Sequence, residues 1–251
     1  MNDSVGLEFS FKEFADEVQV MRDLAEDLLT QEAILALKTF ETDIRQLASL
    51  PTDSAFPLEL AAFNGRSVVR TRLSKGEYER GKRKGEMEVF AELSCSWRVM
   101  PVGSRKQKRR RPRFRLAGLA STAVSIWSQS GERLLSWHVD IASSDSPGCH
   151  FHIQVTKSDE KSRLPVPRFP SVLVTPMAAL DFVLGELFQD DWLKLTSRTD
   201  ANALRWRRIQ QVRWEQILGW YLQHVKDRKD TCSPWLGIKN RQPPNDLFLE
   251  R

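Results

Sequence analysis

Trp137-His138-Val139-Asp140-Ile141 and, eight residues on, Cys149-His150-Phe151-His152-Ile153-Gln154-Val155 alternate apolar and polar side chains with a period of two. That period marks half-buried β-strands. Trp137, Val139 and Ile141 point one way, and His138 and Asp140 the other. In the second stretch Cys149, Phe151, Ile153 and Val155 oppose His150, His152 and Gln154. The linker 142–148, Ala-Ser-Ser-Asp-Ser-Pro-Gly, is built of turn formers, so the two strands are expected to fold back as a hairpin. A midpoint near Asp145 sets Asp140 opposite His150, His138 opposite His152 and Ser136 opposite Gln154. Facing side chains on such a pair have Cβ atoms roughly 4.5–5.5 Å apart. Three of the four histidines in the chain would then share one polar patch with an aspartate.

Outward from the hairpin the pattern extends to a sheet. Residues 86–99 alternate strictly, with Met87, Val89, Ala91, Leu93, Cys95, Trp97 and Val99 on one side. Such alternation belongs to an antiparallel sheet with one face on the core. A further strand is expected over Phe114 to Trp127, a turn at Gln129-Ser130-Gly131, and a strand from Arg133 into Ile141. Val68 to Leu73 reads as a short strand. Before the sheet, Ser10-Phe11-Lys12-Glu13 forms a capping box. Phe14, Val18, Met21, Ala25 and Leu28 then recur at helical spacing, predicting a helix over about 11–29 and a second over Gln31 to Leu47. Asp16, Glu17, Asp23, Glu26 and Asp27 are assigned to the solvent side. After the sheet, Thr175-Pro176 pairs an N-cap with proline at the first helical position. The helix Met177 to Phe188 is apolar nearly all round, and a long helix runs from about Asp200 towards Lys229. There Leu204, Ile209, Val212, Ile217, Trp220 and Tyr221 form the expected core stripe.

The fold class expected is α+β. A four- to five-stranded antiparallel meander is covered on one face by helices and preceded by an N-terminal helical hairpin. Residues 1–50 form the acidic hairpin and 51–251 the main unit, with its sheet over about 68–156 and its helices over about 175–230.

Composition narrows the class. No apolar run approaches the roughly 20 residues of a membrane span, and the N-terminus lacks a secretory signal pattern. Three separated cysteines (Cys95, Cys149, Cys232) contain no Cys-x-x-Cys pair. A reduced, cytoplasmic protein without a disulfide framework is expected. The net charge of +5 is divided: residues 1–50 hold 11 acids and 4 bases, and the remainder sums to +12. A polyanion for the basic part, DNA or RNA, and a basic protein partner for the acidic helices are the implied contacts.

Four stretches carry candidate chemistry. The histidine patch admits a divalent metal on His138, His150 and His152, with Asp140 as oxygen ligand or orienting partner. It equally admits metal-free acid–base work by His138 or His152 with Asp140, or a solvated polar face. Glu88 and Glu92 would join if strand order permits. The run Arg105, Lys106, Lys108, Arg109, Arg110, Arg111, Arg113 and Arg115 holds eight bases and no acid in eleven residues. It suits phosphate neutralisation, or is a solvated loop. Arg205-Trp206-Arg207-Arg208 and Arg213-Trp214 combine cations with rings able to stack on bases, although core packing explains the tryptophans as well. In Pro167-Arg168-Phe169-Pro170 a stiff segment presents Arg168, to an acidic group of the sheet or to a phosphate. Gln154 stands beside the patch. Phosphate-binding glycine loops, Gly-x-Ser-x-Gly and His-Glu-x-x-His are absent from the sequence, which argues against P-loop hydrolysis and serine esterase chemistry.

Trp137-His138-Val139-Asp140, Pro147, His150-x-His152-x-Gln154 and Pro167-Arg168-Phe169-Pro170 together resemble uncharacterised bacterial families found beside phage-defence or toxin–antitoxin genes. Their members carry a Trp-x-x-Asp strand, a Pro-x-x-His-x-His/Gln strand and a Pro-Arg-x-Pro segment before a buried helix. The match covers roughly residues 137–188. It implies an accessory or effector subunit that acts on nucleic acid or beside a nucleic-acid enzyme, and brings no catalytic assignment. The alternative reading is a metal-dependent hydrolase, a nuclease, at the histidine patch.

Overall fold

The computed structural model describes residues 6–49, 58–60, 68–74, 88–102, 112–142, 149–156, 169–226, 238–239 and 241–249. Among them are nine strands and four α-helices in the order β1 (Glu8–Ser10), α1 (Phe11–Leu24), α2 (Gln31–Leu47), β2 (Leu58–Leu60), β3 (Val69–Arg70), β4 (Val89–Val102), β5 (Arg113–Leu116), β6 (Ala120–Ser128), β7 (Arg133–Ile141), β8 (Phe151–Thr156), β9 (Phe169–Pro170), α3 (Pro176–Thr196) and α4 (Ala201–Lys226). The class is α+β and every strand pairing is antiparallel.

The sheet holds more strands than the four or five expected. β1, β2 and β9 are only two or three residues long, too short for a period-two pattern to register, whereas β3 falls within the short strand expected over Val68 to Leu73. The meander β4-β6-β7-β8 is present, and β5 continues the β6 side of the pairing. The segment expected as one strand over 114–127 is interrupted: the three steps from Ser96 to Val99 on β4 face five from Leu116 to Ser121. Gly118, at φ +80°, supplies the left-handed backbone that accommodates the extra residues. Gly131, at φ +84°, does the same for the β6–β7 turn.

Strict alternation on β4 sends Val89, Ala91, Leu93, Cys95, Trp97 and Val99 into the core. Helices pack on this face, with Phe14 of α1 stacked on Trp97 at 5.1 Å, Phe182 of α3 edge-on to Trp137 at 5.7 Å, and Trp220 of α4 edge-on to Phe151 at 5.7 Å. The N-terminal helices share one continuous core with the sheet. At one end of the sheet the Glu8 amide of β1 donates to the Asn245 carbonyl (2.8 Å). At the other, β9 pairs with β8 through Phe169 and Pro170.

Both predicted caps form. Ser10 Oγ accepts from the Glu13 amide (3.4 Å), and Thr175 Oγ1 from the Ala178 amide (3.1 Å). α3 extends past its expected end at Phe188, but its backbone departs from helix at Gln189 (φ 21°, ψ −92°), where the apolar run stops.

Two expectations about helix faces are corrected together. Asp16 and Glu17 do not face solvent; Glu17 is 0% exposed. Leu204 and Val212 are not core residues, being 50% and 40% exposed. The buried stripe of α4 is Ala203, Trp206, Gln210, Arg213, Ile217 and Trp220. Its helical spacing is regular, but two of its members are polar. They are there because Glu17 lies opposite: its Oε1 accepts from Gln210 Nε2 (3.1 Å), Thr175 Oγ1 (2.8 Å) and Arg213 Nη1. A carboxylate removed from water needs this set of donors, and the arginine needs the charge. A hydrophobicity pattern cannot register such a trade.

Removing one partner strands the other. Arg213→Met is expected to destabilise by about 3–5 kcal/mol in urea unfolding, and adding Glu17→Leu to recover part of that loss. A single-variant loss below about 1 kcal/mol would contradict the assignment.

Candidate functional site

The polar face of the meander, opposite the helices, carries the histidine hairpin. β7 and β8 pair as expected in kind but not in register. Asp140 stands opposite His152, His138 opposite Gln154 and Ser136 opposite Thr156. The register is centred one residue later than expected, and moving a hairpin's centre by one residue slides its partners by two. Because the slide is even, the polar side chains keep their face. Asp140 therefore meets His152 directly across the strands and His138 two residues away on its own strand.

Both imidazoles converge on one oxygen. His138 Nε2 lies 3.2 Å and His152 Nε2 3.4 Å from Asp140 Oδ2. The His152 contact is at ion-pair distance without the alignment of a hydrogen bond. Its other nitrogen, Nδ1, is 2.8 Å from the Cys149 carbonyl. A carbonyl can only accept, so Nδ1 carries a proton and donates, which fixes the ring's orientation. Ser121, the partner of Asp140 on β6, faces the same carboxylate and favours its ionised form. Sequence reading missed Ser121; a serine in a strand with many serines gives no signal of its own.

The cluster is largely enclosed. Asp140 is 6% and His152 2% exposed, while the His138 side chain keeps 25%. Burial works against an ionised Asp140, but the contacts from His138, His152 and Ser121 outweigh it. They hold the carboxyl well below the usual carboxylate range. Oδ1 has no hydrogen-bond partner among the described residues. Of the three side chains, His138 alone combines an orienting carboxylate with access to solvent, the arrangement of a general base.

His150 stands apart from this convergence. It lies in the bend before β8, buried and edge-on to Phe151 with ring centroids 4.9 Å apart, and Nε2 lacks a partner among the described residues. Burial, with the charge of His152 adding to it, pushes its pKa down to about 4, so the ring is neutral near pH 7. The three-histidine metal set is accordingly corrected. Among the described residues, no group of three or more His, Cys, Asp or Glu side chains is placed to hold a metal ion. Glu92 does not join either, because β6 separates β4 from β7 and Glu92 pairs with Arg70. Gln154 is half-buried opposite His138.

Of the basic run, Arg113 and Arg115 fall on β5 beside β1, where Glu8 takes Arg115 at 2.7 Å and approaches Arg113 at 3.9 Å. Arg105, Lys106, Lys108, Arg109, Arg110 and Arg111 lie outside the described residues, as does Arg168. The run's flanks are fixed, however: Val102 at the end of β4 pairs with Arg113 at the start of β5. That end of the sheet also carries Ile141 and Phe151, the flanks of the histidine turn. From the Asp140 row, which Ser96 shares, Val102 is six residues along β4, roughly 20 Å.

On α4, Trp206 and Trp220 are buried and Trp214 is 43% exposed, so core packing accounts for two of the three. Among the described residues no helix is long and apolar enough to cross a membrane. No family model, curated protein or solved structure matches the chain.

Two pH dependences follow. The depressed Asp140 contributes stability that is present above its unfolded pKa of about 4 and is lost as pH falls towards its folded value. The stability gap between the parent protein and Asp140→Asn should therefore narrow below about pH 4. His150 acts in the same direction at a higher pH: its depressed folded pKa makes the unfolded chain bind the extra proton as pH falls from about 6.5 to 4. Stability should fall by up to about 3 kcal/mol across that window. His150→Asn should flatten that slope in urea titrations at stepped pH; an unchanged slope would contradict the buried neutral ring.

Proposed function

We propose that the protein is a nucleic-acid-associated accessory or effector subunit that grips DNA or RNA phosphates with the basic run 105–115. The observation that carries this reading is the pairing of Val102 with Arg113. It makes the segment that carries six of the run's eight bases leave and re-enter the fold at one point of the sheet's end. Like charges focused at one place attract a polyanion strongly and let salt weaken the attachment. The same end bears the turn that follows Asp140, so a strand held by the run would pass near the polar face. The prokaryotic defence or toxin–antitoxin setting is supported by the sequence resemblance over 137–188. A protein partner at the acidic helices has fewer acids to use than their count implies. Glu41 is bound by Arg22 (2.6 Å) and Arg45 (2.9 Å), and Asp16 by Arg205.

The second reading is acid–base chemistry at His138, favoured by its partial exposure and by the Asp140 oxygen 3.2 Å from its Nε2. In RNA cleavage His138 would take the proton of the 2′-hydroxyl as that oxygen bonds to phosphorus, the bond to the 5′-oxygen breaks and the departing oxygen takes a proton from water, while Asp140 steadies the imidazolium.

Fluorescence anisotropy with a labelled oligonucleotide should show binding that weakens steeply with salt. Replacing Arg109, Arg110 and Arg111 by Ala should lower affinity and reduce the slope of log K against log salt by about 2–3. Absence of binding by the parent protein at low salt sinks the first reading. For the second, cleavage of an RNA oligonucleotide in the presence of a chelator should fall by about 100-fold or more in His138→Gln. Cleavage that persists in that variant, or vanishes with the chelator, rules it out.

A further inference from the structure

On the helical layer, away from the polar face, a cavity of about 280 Å³ opens between the first turn of α1 and the N-terminal half of α4. Its inner wall is aromatic. Phe9, Phe14 and Phe248 are all buried, and the rings of Phe9 and Phe248 stack at 5.2 Å and 19°. Its rim is formed by the exposed residues Lys12, Arg208 and Val212. Two further arginines on the lining are already occupied, Arg205 by Asp16 and Arg213 by Glu17. Lys12 and Arg208 have no ion pair among the described residues, and Lys12 sits in the first turn of α1, where the helix dipole adds positive potential. A void left by imperfect packing would have apolar walls throughout. This one has an apolar back and two exposed cations at its mouth, with the carboxylate of Glu13 also on the lining, a division of labour found in ligand pockets. Its volume is near the lower end of the range for such pockets, roughly 300 Å³.

We propose that this cavity binds a small aromatic anion, its ring against Phe9 and Phe248 and its carboxylate or phosphate between Lys12 and Arg208. The neutral part is held by burial of apolar area and the charged part by two charge-assisted hydrogen bonds. Size limits the ligand to about two small ring systems; a polymer can offer only an end. The site is independent of nucleic-acid binding at the sheet's end.

The test uses the full chain and the fluorescent anion 1-anilinonaphthalene-8-sulfonate, with neutral N-phenyl-1-naphthylamine as the comparison. Saturation at one equivalent is expected, with the neutral analogue at least about tenfold weaker. Lys12→Gln combined with Arg208→Gln should raise the Kd of the anion by about tenfold or more while leaving that of the neutral analogue unchanged. Val212→Trp, at an exposed rim position, should abolish binding of both without changing the melting temperature. Competition with indole-3-acetate and with adenosine monophosphate then separates carboxylate from phosphate, the better competitor naming the headgroup. Equal affinity for the neutral probe, binding unaffected by the rim variants, or displacement by neither competitor would overturn the assignment.

Discussion

The buried carboxylate of Glu17 is the constraint on which the arrangement of helices rests. It belongs to α1, yet its donors come from Thr175 at the start of α3 and from Gln210 and Arg213 on α4. Thr175 is at once the N-cap of α3 and a donor to Glu17, so the entry of α3 and the placement of α1 are set by one hydroxyl. A charge with no exposure tolerates little slippage, because any movement that loses a donor leaves the carboxylate desolvated and unpaired. Apolar packing brings α1, α3 and α4 together; this polar junction fixes which faces meet. The aromatic set of Phe9, Phe14, Trp97 and Phe114 then seats the same helix on the sheet.

The polar face of the sheet obeys a similar logic on a smaller scale. Three groups from three strands, Ser121, His138 and His152, are drawn to one carboxylate, and the Cys149 carbonyl orients the ring facing Asp140 across the hairpin. Backbone pairing does the positioning: once β6, β7 and β8 are in register, Ser121, Asp140 and His152 form one row with no loop involved. Rigidity of this kind suits a site that must hold a proton in a defined place.

Much of this was legible in the sequence. Strict alternation located β4, β7 and most of β8, and the two capping patterns located the starts of α1 and α3. The helix over Gln31–Leu47 was also read from spacing alone. What escaped has physical causes. Strands of two or three residues carry no period. The hairpin register turned on a one-residue difference in its centre, which the composition of the linker 142–148 does not decide. The buried faces of α1 and α4 were misread because Glu17, Gln210 and Arg213 satisfy one another, a fact visible only when all are in space. The gathering of His138, His152 and Asp140 was anticipated, whereas the separation of His150 came from a bend that breaks the alternation at residue 150.

The two-residue strand β9 has a consequence for how the molecule behaves in company. An antiparallel sheet ends in a row of unsatisfied amides and carbonyls that another chain can extend. Here the outermost rung places Pro170 against His152, and a proline has no N–H to offer a newcomer. The rung is also too brief to template further growth. At the opposite margin the backbone near the C-terminus occupies the Glu8 amide. Among the described residues, neither the Pro170 position nor the Glu8 amide is thus left to donate to a second sheet arriving at these two margins.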